Sequence, residues 1–241
     1  MTLLVATDLV RRFRGLAAVD GLSFDVREGE IMAIIGPNGA GKTTLFNLLS
    51  GLLAANTGRV EFDGADITSS RPHRRCHLGL GRTFQLVQPF ADLTVLENVM
   101  VGALFGGAGH ATGAARADAA ALCERVGLGP KRDASVSSLT VADRKRLELA
   151  RALATRPRLL LLDEIMEGLT PNEERDAVRL VREIRDEGVT LLLIEHIMST
   201  VRDLSDRVLV MDHGKKIAEG DYAAVSRDPA VIEAYLGTDE P

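Results

Sequence analysis

The stretch GPNGAGKT, Gly36 to Thr43, sits between an unbroken apolar run, IMAII (31–35), and the helix-like TTLFNLLSGL (43–52). A Gly-rich turn closed by a lysine and a hydroxyl, placed between a strand and a helix, suits a polyphosphate. Its glycines let backbone N–H groups turn inward where a side chain would block approach. The start of the following helix adds partial positive charge. Lys42 supplies a full charge to phosphate oxygens, and the Thr43 hydroxyl is a ligand type for Mg²⁺. Gly36, Pro37, Asn38, Gly39, Ala40, Gly41, Lys42, Thr43 and Thr44 are therefore the candidate nucleotide-binding residues. Two further runs deliver polar groups at strand ends. RLLLLDE (158–164) ends in Asp163 and Glu164, and VTLLLIEH (189–196) ends in His196. In a parallel sheet, ligands bind at the carboxyl ends of strands. Asp163 suits a Mg²⁺ shell, and Glu164, one residue further, suits a general base for an attacking water. His196 on its own reads first as a helix cap or a satisfied bystander, with contact to phosphate or water as the alternative.

A third helix-like stretch, SSLTVADRKRLELARAL (137–153), carries no glycine where it begins. Thr140 fits an N-cap and Asp143, three residues on, completes an approximate capping box. Leu147, Ala150, Leu153 and the stem of Arg151 form an apolar stripe at helical spacing. A capped helix N-terminus is itself compatible with an anion site.

These residues need a frame. LSFDV (22–26) and RVEFDG (59–64) alternate as half-covered strands do, whereas IMAII, RLLLL and TLLLI read as strands buried on both faces. From about Val87 to Pro157 the texture is helical. LTVLENVMVGALF reads as a helix and GGAGHATGAARADAA as a Gly/Ala-rich connector into a second. The α/β rhythm then resumes, and DRVLVMDHGKKIAEGD reads as a hairpin with His213–Gly214 at its turn. The expected architecture is α/β: a mainly parallel sheet, a small antiparallel β layer, and a helical subdomain inserted in the middle.

The 241 residues, 46% of them hydrophobic, suffice for a full core, and a net charge of −5 gives no global case for nucleic acid. The basic clusters RPHRR (71–75) and RKR (144–146) read as solvated helix faces. Cys76 and Cys123 have no metal-ligand spacing and read as reduced, buried structural thiols. The N-terminus lacks signal-peptide character, and no apolar run approaches the roughly 18 residues that span a bilayer. A membrane role would therefore be peripheral, through a partner.

Taken in order, GPNGAGKTT, Gln85 in GRTFQ, the 137–153 stretch, LLLLDE and His196 resemble an ATP-binding-cassette ATPase from Phe13 to about Leu236. The resemblance implies a P-loop ATPase core, residues 1–86 and 158–241, with a helical subdomain at 87–157, all in one 1–241 domain. It implies ATP as nucleotide, stacked on Phe13 with Val19 nearby, and Mg²⁺ held by Thr43, Gln85 and Asp163. Glu164, His196, Gln85 and Lys42 would carry catalysis. Thr140 would reach the ATP of a second cassette subunit in trans. The segments GRTFQLVQPFADLTVLENVMVGAL and RKRLELARALATRPRLLLLDE look most like ATPase subunits of branched-chain amino-acid uptake systems. Partners implied are a membrane permease docked at the 86–105 stretch, a second ATPase subunit and, indirectly, an external solute-binding protein. Placement would be cytoplasmic, on the inner face of the membrane. Urea, amides or another solute, and soluble ATPases of DNA repair or translation, are the alternatives. The latter call for coiled-coil insertions or tandem cassettes, which this chain lacks, so no nucleic acid is expected. Two departures stand out. Ile165 and Met166–Glu167 replace the proline and small residues common before the EGLTP loop. In 139–143, Thr140, Val141, Ala142 and Asp143 stand where the family's LSGGQ has serine, two glycines and glutamine.

Overall fold

The structure, a computed structural model, describes residues 1–85, 88–107 and 111–236. Leu86 and Val87, at the expected subdomain boundary and the start of the apolar docking stretch, lie outside the described residues, as do Ala108–His110 of the expected connector. Two compact units compose the chain, residues 1–72 with 185–241 and residues 73–184. The expected helical segment falls within the second, which also holds two strands.

In the first unit, β1 (Thr2–Phe13) pairs antiparallel with β2 (Leu16–Arg27) and with β4 (Thr57–Phe62), and β5 (Ala65–Asp66) completes the order β2-β1-β4-β5. This is the small antiparallel layer, longer than its two alternating stretches suggested. The N-terminal residues, not assigned as a strand from sequence, form β1. Register shifts interrupt its period, with Asp8 at φ 47°, and so obscure the alternation. A buried strand, β3 (Ile31–Ile35), runs parallel to both β8 (Thr190–Ile194) and β9 (Arg207–Asp212). β10 (Lys215–Gly220) returns antiparallel on β9 through the His213–Gly214 turn. Every residue of β3 and β8 is buried, as expected of strands covered on both faces. Helix α1 (Lys42–Leu49) follows β3, and α7 (Met198–Leu204), α8 (Tyr222–Val225) and α9 (Pro229–Leu236) follow in the C-terminal part.

In the second unit, β6 (Leu80–Arg82) is parallel to β7 (Leu159–Asp163). With them are α2 (Pro72–His77), α3 (Val95–Phe105), α4 (Thr112–Arg125), α5 (Val141–Leu153) and α6 (Pro171–Asp186), the last ending just past the unit boundary. The helix read at RPHRR is α2, whereas β6 was not read from the sequence. The Gly/Ala-rich connector is corrected: from Thr112 onward it is already helix α4. Alanine is the strongest helix former, and Ala115, Ala119 and Cys123, four apart, bury one narrow face. They pack with Val95, Val99 and Ala103 of α3 and Leu147 and Ala150 of α5. The RPHRR cluster is corrected at one position: Arg71, His73 and Arg74 are exposed as expected, but Arg75 is 2% exposed and does not belong to the solvated face. Cys123 is buried as expected, and its burial pushes the thiol up to about 11.

Candidate active site

The phosphate loop belongs to the first unit. β3 ends at Ile35, the loop runs Gly36–Gly41, and α1 begins at Lys42. Three of its residues adopt positive φ, Gly36 at 151°, Gly39 at 84° and Gly41 at 100°. A Cβ at Gly36 would lie 2.0 Å from the Met211 carbonyl oxygen, and one at Gly41 would lie 2.0 Å from the Ala18 carbonyl oxygen. Two of the glycines are thus dictated by the protein's own backbone, which passes within contact on either side. Gly39 has nothing within 4 Å, and only its dihedral angle favours glycine. The Ala40 carbonyl accepts from the Gly214 N–H at 3.0 Å, tying the loop to the β9–β10 turn. Lys42 is buried, and its Nζ donates to the Gly36 carbonyl at 2.6 Å and the Pro37 carbonyl at 3.0 Å. Gly41 caps α1 without a side-chain acceptor, so no capping side chain competes for the first-turn N–H groups. Asn38, Gly39 and Thr43 are exposed and Thr44 is half-buried.

Sequence reasoning missed one contributor to this loop. Tyr235, in α9, forms a hydrogen bond with the backbone of Gly36. Burial nonetheless pushes its phenol up to about 12. Nothing in the local pattern of a C-terminal helix signals a contact so distant in sequence. Phe13 ends β1 with 42% of its surface exposed, and the Arg11 guanidinium lies 4.7 Å from its ring centroid. Val19 differs from its expected place beside a base: it is fully buried, so its side chain belongs to the core. His196 is exposed just beyond β8, and the N-cap of α7 is Ile197, which removes the capping explanation for the histidine.

The second unit contains Asp163, Glu164, Gln85 and Thr140, of which Gln85 meets Glu164 while Thr140 bonds to Asp143. Asp163, the last residue of β7, is 2% exposed. Arg82 on β6 holds it through a 3.0 Å ion pair, both side chains nearly buried. Burial pushes the Arg82 guanidinium down from its ordinary value, and the Asp163 carboxylate opposes that shift. The backbone N–H of Asp163 donates to the Thr83 hydroxyl at 3.1 Å. Arg82 had no role in the sequence reading, because a surface-type residue gives no local sign that it is buried against an acid.

Glu164 adopts φ 48°, the left-handed region, which costs a non-glycine residue roughly 1–3 kcal/mol. Three groups hold it there. Gln85 Nε2 donates to its carboxylate Oε2 at 2.5 Å. Its carbonyl accepts from Lys145 Nζ at 2.6 Å and from the Glu167 N–H at 3.3 Å. A strained residue fixed from both its backbone and its side chain fits a group whose direction matters. Gln85, expected at a metal, is thus brought to the carboxylate beside it.

At the start of α5 the capping box is complete. The Thr140 Oγ1 accepts from the Asp143 N–H at 3.2 Å, and the Thr140 hydroxyl donates to Asp143 Oδ2 at 2.9 Å. Lys131 Nζ, 2.5 Å away, pairs with the same carboxylate oxygen. Burial works to raise the Asp143 carboxyl, but the bonds from Lys131 and Thr140 together outweigh it and leave it below the ordinary value. The acid that replaces the family's glutamine is therefore neutralised by Lys131, from outside its own helix. Val141 beside it is 60% exposed.

With this geometry in place, comparison with known proteins is decisive. The family model described as ABC transporter matches residues 19–167. The chain belongs to the ABC transporter family. A second model, described as branched-chain amino acid ATP-binding cassette transporter, matches residues 215–241 of this ABC chain. The high-affinity branched-chain amino acid transport ATP-binding protein LivG of Salmonella typhimurium is 38% identical, with 98% of each chain covered. BraF of Pseudomonas aeruginosa, with the same description, is 37% identical over 98% of each. A nucleotide-free ATP-binding cassette from an ABC transporter superposes with a TM-score of 0.88 at 34% identity, covering 98% of this chain and 99% of that one. The ADP conformation of an ATP-binding cassette superposes equally well at 35% identity over the same shares. The α/β cassette fold expected from sequence is the fold observed. As an ABC ATPase the chain binds nucleotide and couples ATP hydrolysis to transport. Among the described residues, no helix is long and apolar enough to cross a membrane.

Proposed function

We propose that the chain is the ATP-hydrolysing subunit of an importer for branched-chain amino acids, seated on the cytoplasmic side of a membrane permease. The solute rests on the names of relatives that align end to end and on the C-terminal family match. The observation that carries the chemistry is Glu164, strained and fixed at the end of β7 next to the buried Asp163.

In this reading the amides and Lys42 of the phosphate loop receive the β- and γ-phosphates of ATP. Lys42 Nζ exchanges its Gly36 and Pro37 carbonyls for phosphate oxygens, so the charge is stored in place before nucleotide arrives. Phe13 stacks on the base. Glu164 takes a proton from water as the water attacks the γ-phosphorus in line and ADP leaves. His196 orients that water and the γ-phosphate. Thr43, Asp163 and Gln85 offer a hydroxyl, a carboxylate and an amide oxygen, a hard-oxygen set that fits Mg²⁺. Mg²⁺ is commonly held by one or two carboxylates plus substrate phosphates rather than by a cage of protein acids. When bound, the metal supplies charge neutralisation at the phosphates.

A second ATPase subunit supplies Thr140 in trans. Because that hydroxyl donates within its own cap, it must leave Asp143 to reach phosphate, which makes closure of the pair weaker than with a Gly-rich loop. An external solute-binding protein delivers solute to the permease.

Glu164→Gln should slow ATP turnover roughly 10²–10⁴-fold with ATP binding retained, and wild-type turnover would remove Glu164 from the mechanism. Lys42→Ala should weaken nucleotide binding and hydrolysis together. Co-purification of the chain from its native membrane should recover a permease whose reconstituted vesicles take up leucine, isoleucine or valine on ATP addition. Uptake of urea or amides instead would reassign the solute.

A further inference from the structure

We propose that Lys145 is a positioning residue for hydrolysis, acting through the backbone of Glu164. The proposal rests on the reading of Glu164 as general base. Lys145 lies on α5, the helix that Thr140 caps, and its ammonium donates to the Glu164 carbonyl at 2.6 Å. A charged donor to a neutral acceptor gives a stronger bond than an amide does. That carbonyl's other partner, the Glu167 N–H, is more distant at 3.3 Å.

The location gives the contact its consequence. Glu164 sits at φ 48°, where a side-chain-bearing residue stays only if its surroundings hold it. The left-handed turn sets the direction in which the carboxylate leaves β7. Gln85 fixes the carboxylate oxygen and Lys145 fixes the peptide that carries it. Releasing the peptide lets the residue relax toward an ordinary dihedral and swings the carboxylate away from its aim. Because Lys145 and Thr140 share one helix, a second subunit's nucleotide at the start of α5 would act on the same rigid element that holds the base. This attachment needs none of the glycines that the 139–143 stretch has lost.

The test uses the full chain and four variants: Lys145→Met, Lys145→Arg, Glu164→Gln and the Glu164→Gln/Lys145→Met double variant. Steady-state ATPase and affinity for a fluorescent ATP analogue are measured on each. Lys145→Met should lower kcat about 10–100-fold, the scale of a misplacement near 1 Å, with KM for ATP and analogue affinity within about twofold. Lys145→Arg, which restores a cationic donor, should recover most of the loss. In the Glu164→Gln background, Lys145→Met should add less than about twofold, because the group it aims is gone. If Lys145→Met proves unstable, Lys145→Ala, which also removes the donor, takes its place with the same criteria. A lysine variant with kcat within twofold of wild type, beside a crippled Glu164→Gln, overturns the proposal and leaves the base intact. An equal fold-loss from Lys145→Met in both backgrounds also overturns it, since the lysine then acts elsewhere. Wild-type turnover in Glu164→Gln removes the base assignment and this proposal with it.

Discussion

The phosphate loop offers a comparison in which one chemical change, a single added methyl, should have two different outcomes. Gly39 and Gly41 both hold positive φ, 84° and 100°. An alanine at either must accept a left-handed backbone, at about 1–2 kcal/mol. At Gly39 nothing lies within 4 Å of the new Cβ, so strain is the whole effect. At Gly41 the same atom would lie 2.0 Å from the Ala18 carbonyl oxygen and 3.2 Å from its carbon. That obstacle is backbone, within β2, and no side-chain rotation relieves it. Overpacking of this kind adds about 1–3 kcal/mol, and with the strain the Gly41→Ala loss is roughly 2–5 kcal/mol. At about 2–4 °C per kcal/mol for a chain of this size, Gly41→Ala should melt about 4–20 °C early and Gly39→Ala about 2–8 °C early. Differential scanning calorimetry of the nucleotide-free chain reads both. Equal melting losses in the two variants would refute the claim that close backbone approach, rather than dihedral angle alone, dictates Gly41.

Three further outcomes follow from the site. Arg82→Met removes the guanidinium that offsets a buried carboxylate, and should destabilise the chain by roughly 3–5 kcal/mol in urea unfolding; a change under about 1 kcal/mol would show that the pair is dispensable. Asp143 is depressed below its ordinary 3.8, so its stabilising contribution is full above that pH and is lost as pH falls through the folded value. Lys131→Met should therefore lower the melting temperature at pH 7 and flatten its fall between pH 5 and 3, and an unchanged acid limb would count against the pairing. In a Tyr222→Phe background, the remaining tyrosine, Tyr235, should form phenolate in the folded chain only near pH 12 by ultraviolet absorbance. A midpoint near 10 would place its ring in solvent rather than against the phosphate loop.

How much of this was legible beforehand follows from the range of each interaction. The phosphate loop, the strand-end acids and the α5 capping box are written within a few consecutive residues, and each has its expected local geometry. The buried strands β3, β7 and β8 are continuous apolar runs and declared themselves in the same way. The small-residue helix α4 was concealed because glycine and alanine together suggest a linker; only the i, i+4 burial of Ala115, Ala119 and Cys123 distinguishes the two. Arg82, Lys145 and Tyr235 were not legible at all. Each meets its partner across a long sequence separation, and arginine and lysine are of types that usually face water.

The substituted 139–143 stretch gains a physical meaning from these distant contacts. In a Gly-rich version, bare backbone amides at a helix start are the anion-binding surface. Here Thr140 and Asp143 spend their hydrogen bonds on each other, and Lys131 neutralises the acid from outside the helix. Those bonds make the α5 terminus stable without a ligand, since a good cap contributes about 0.5–2 kcal/mol. The same bonds oppose any phosphate that would compete for the Thr140 hydroxyl. Thr140→Ala removes the cap and the candidate contact together, so loss of activity in that variant does not separate the two. Thr140→Ser keeps the hydroxyl and the capping geometry, and should preserve both stability and cooperative ATPase. Asp143→Asn separates the roles: it keeps a side-chain oxygen for the Thr140 N–H while lifting the negative charge. If Thr140 meets phosphate in trans, Asp143→Asn should tighten nucleotide-dependent dimerisation while lowering the melting temperature of the nucleotide-free chain. Weaker dimerisation in that variant, measured by analytical ultracentrifugation with ATP in a Glu164→Gln background, would show that the stretch serves only to cap its helix.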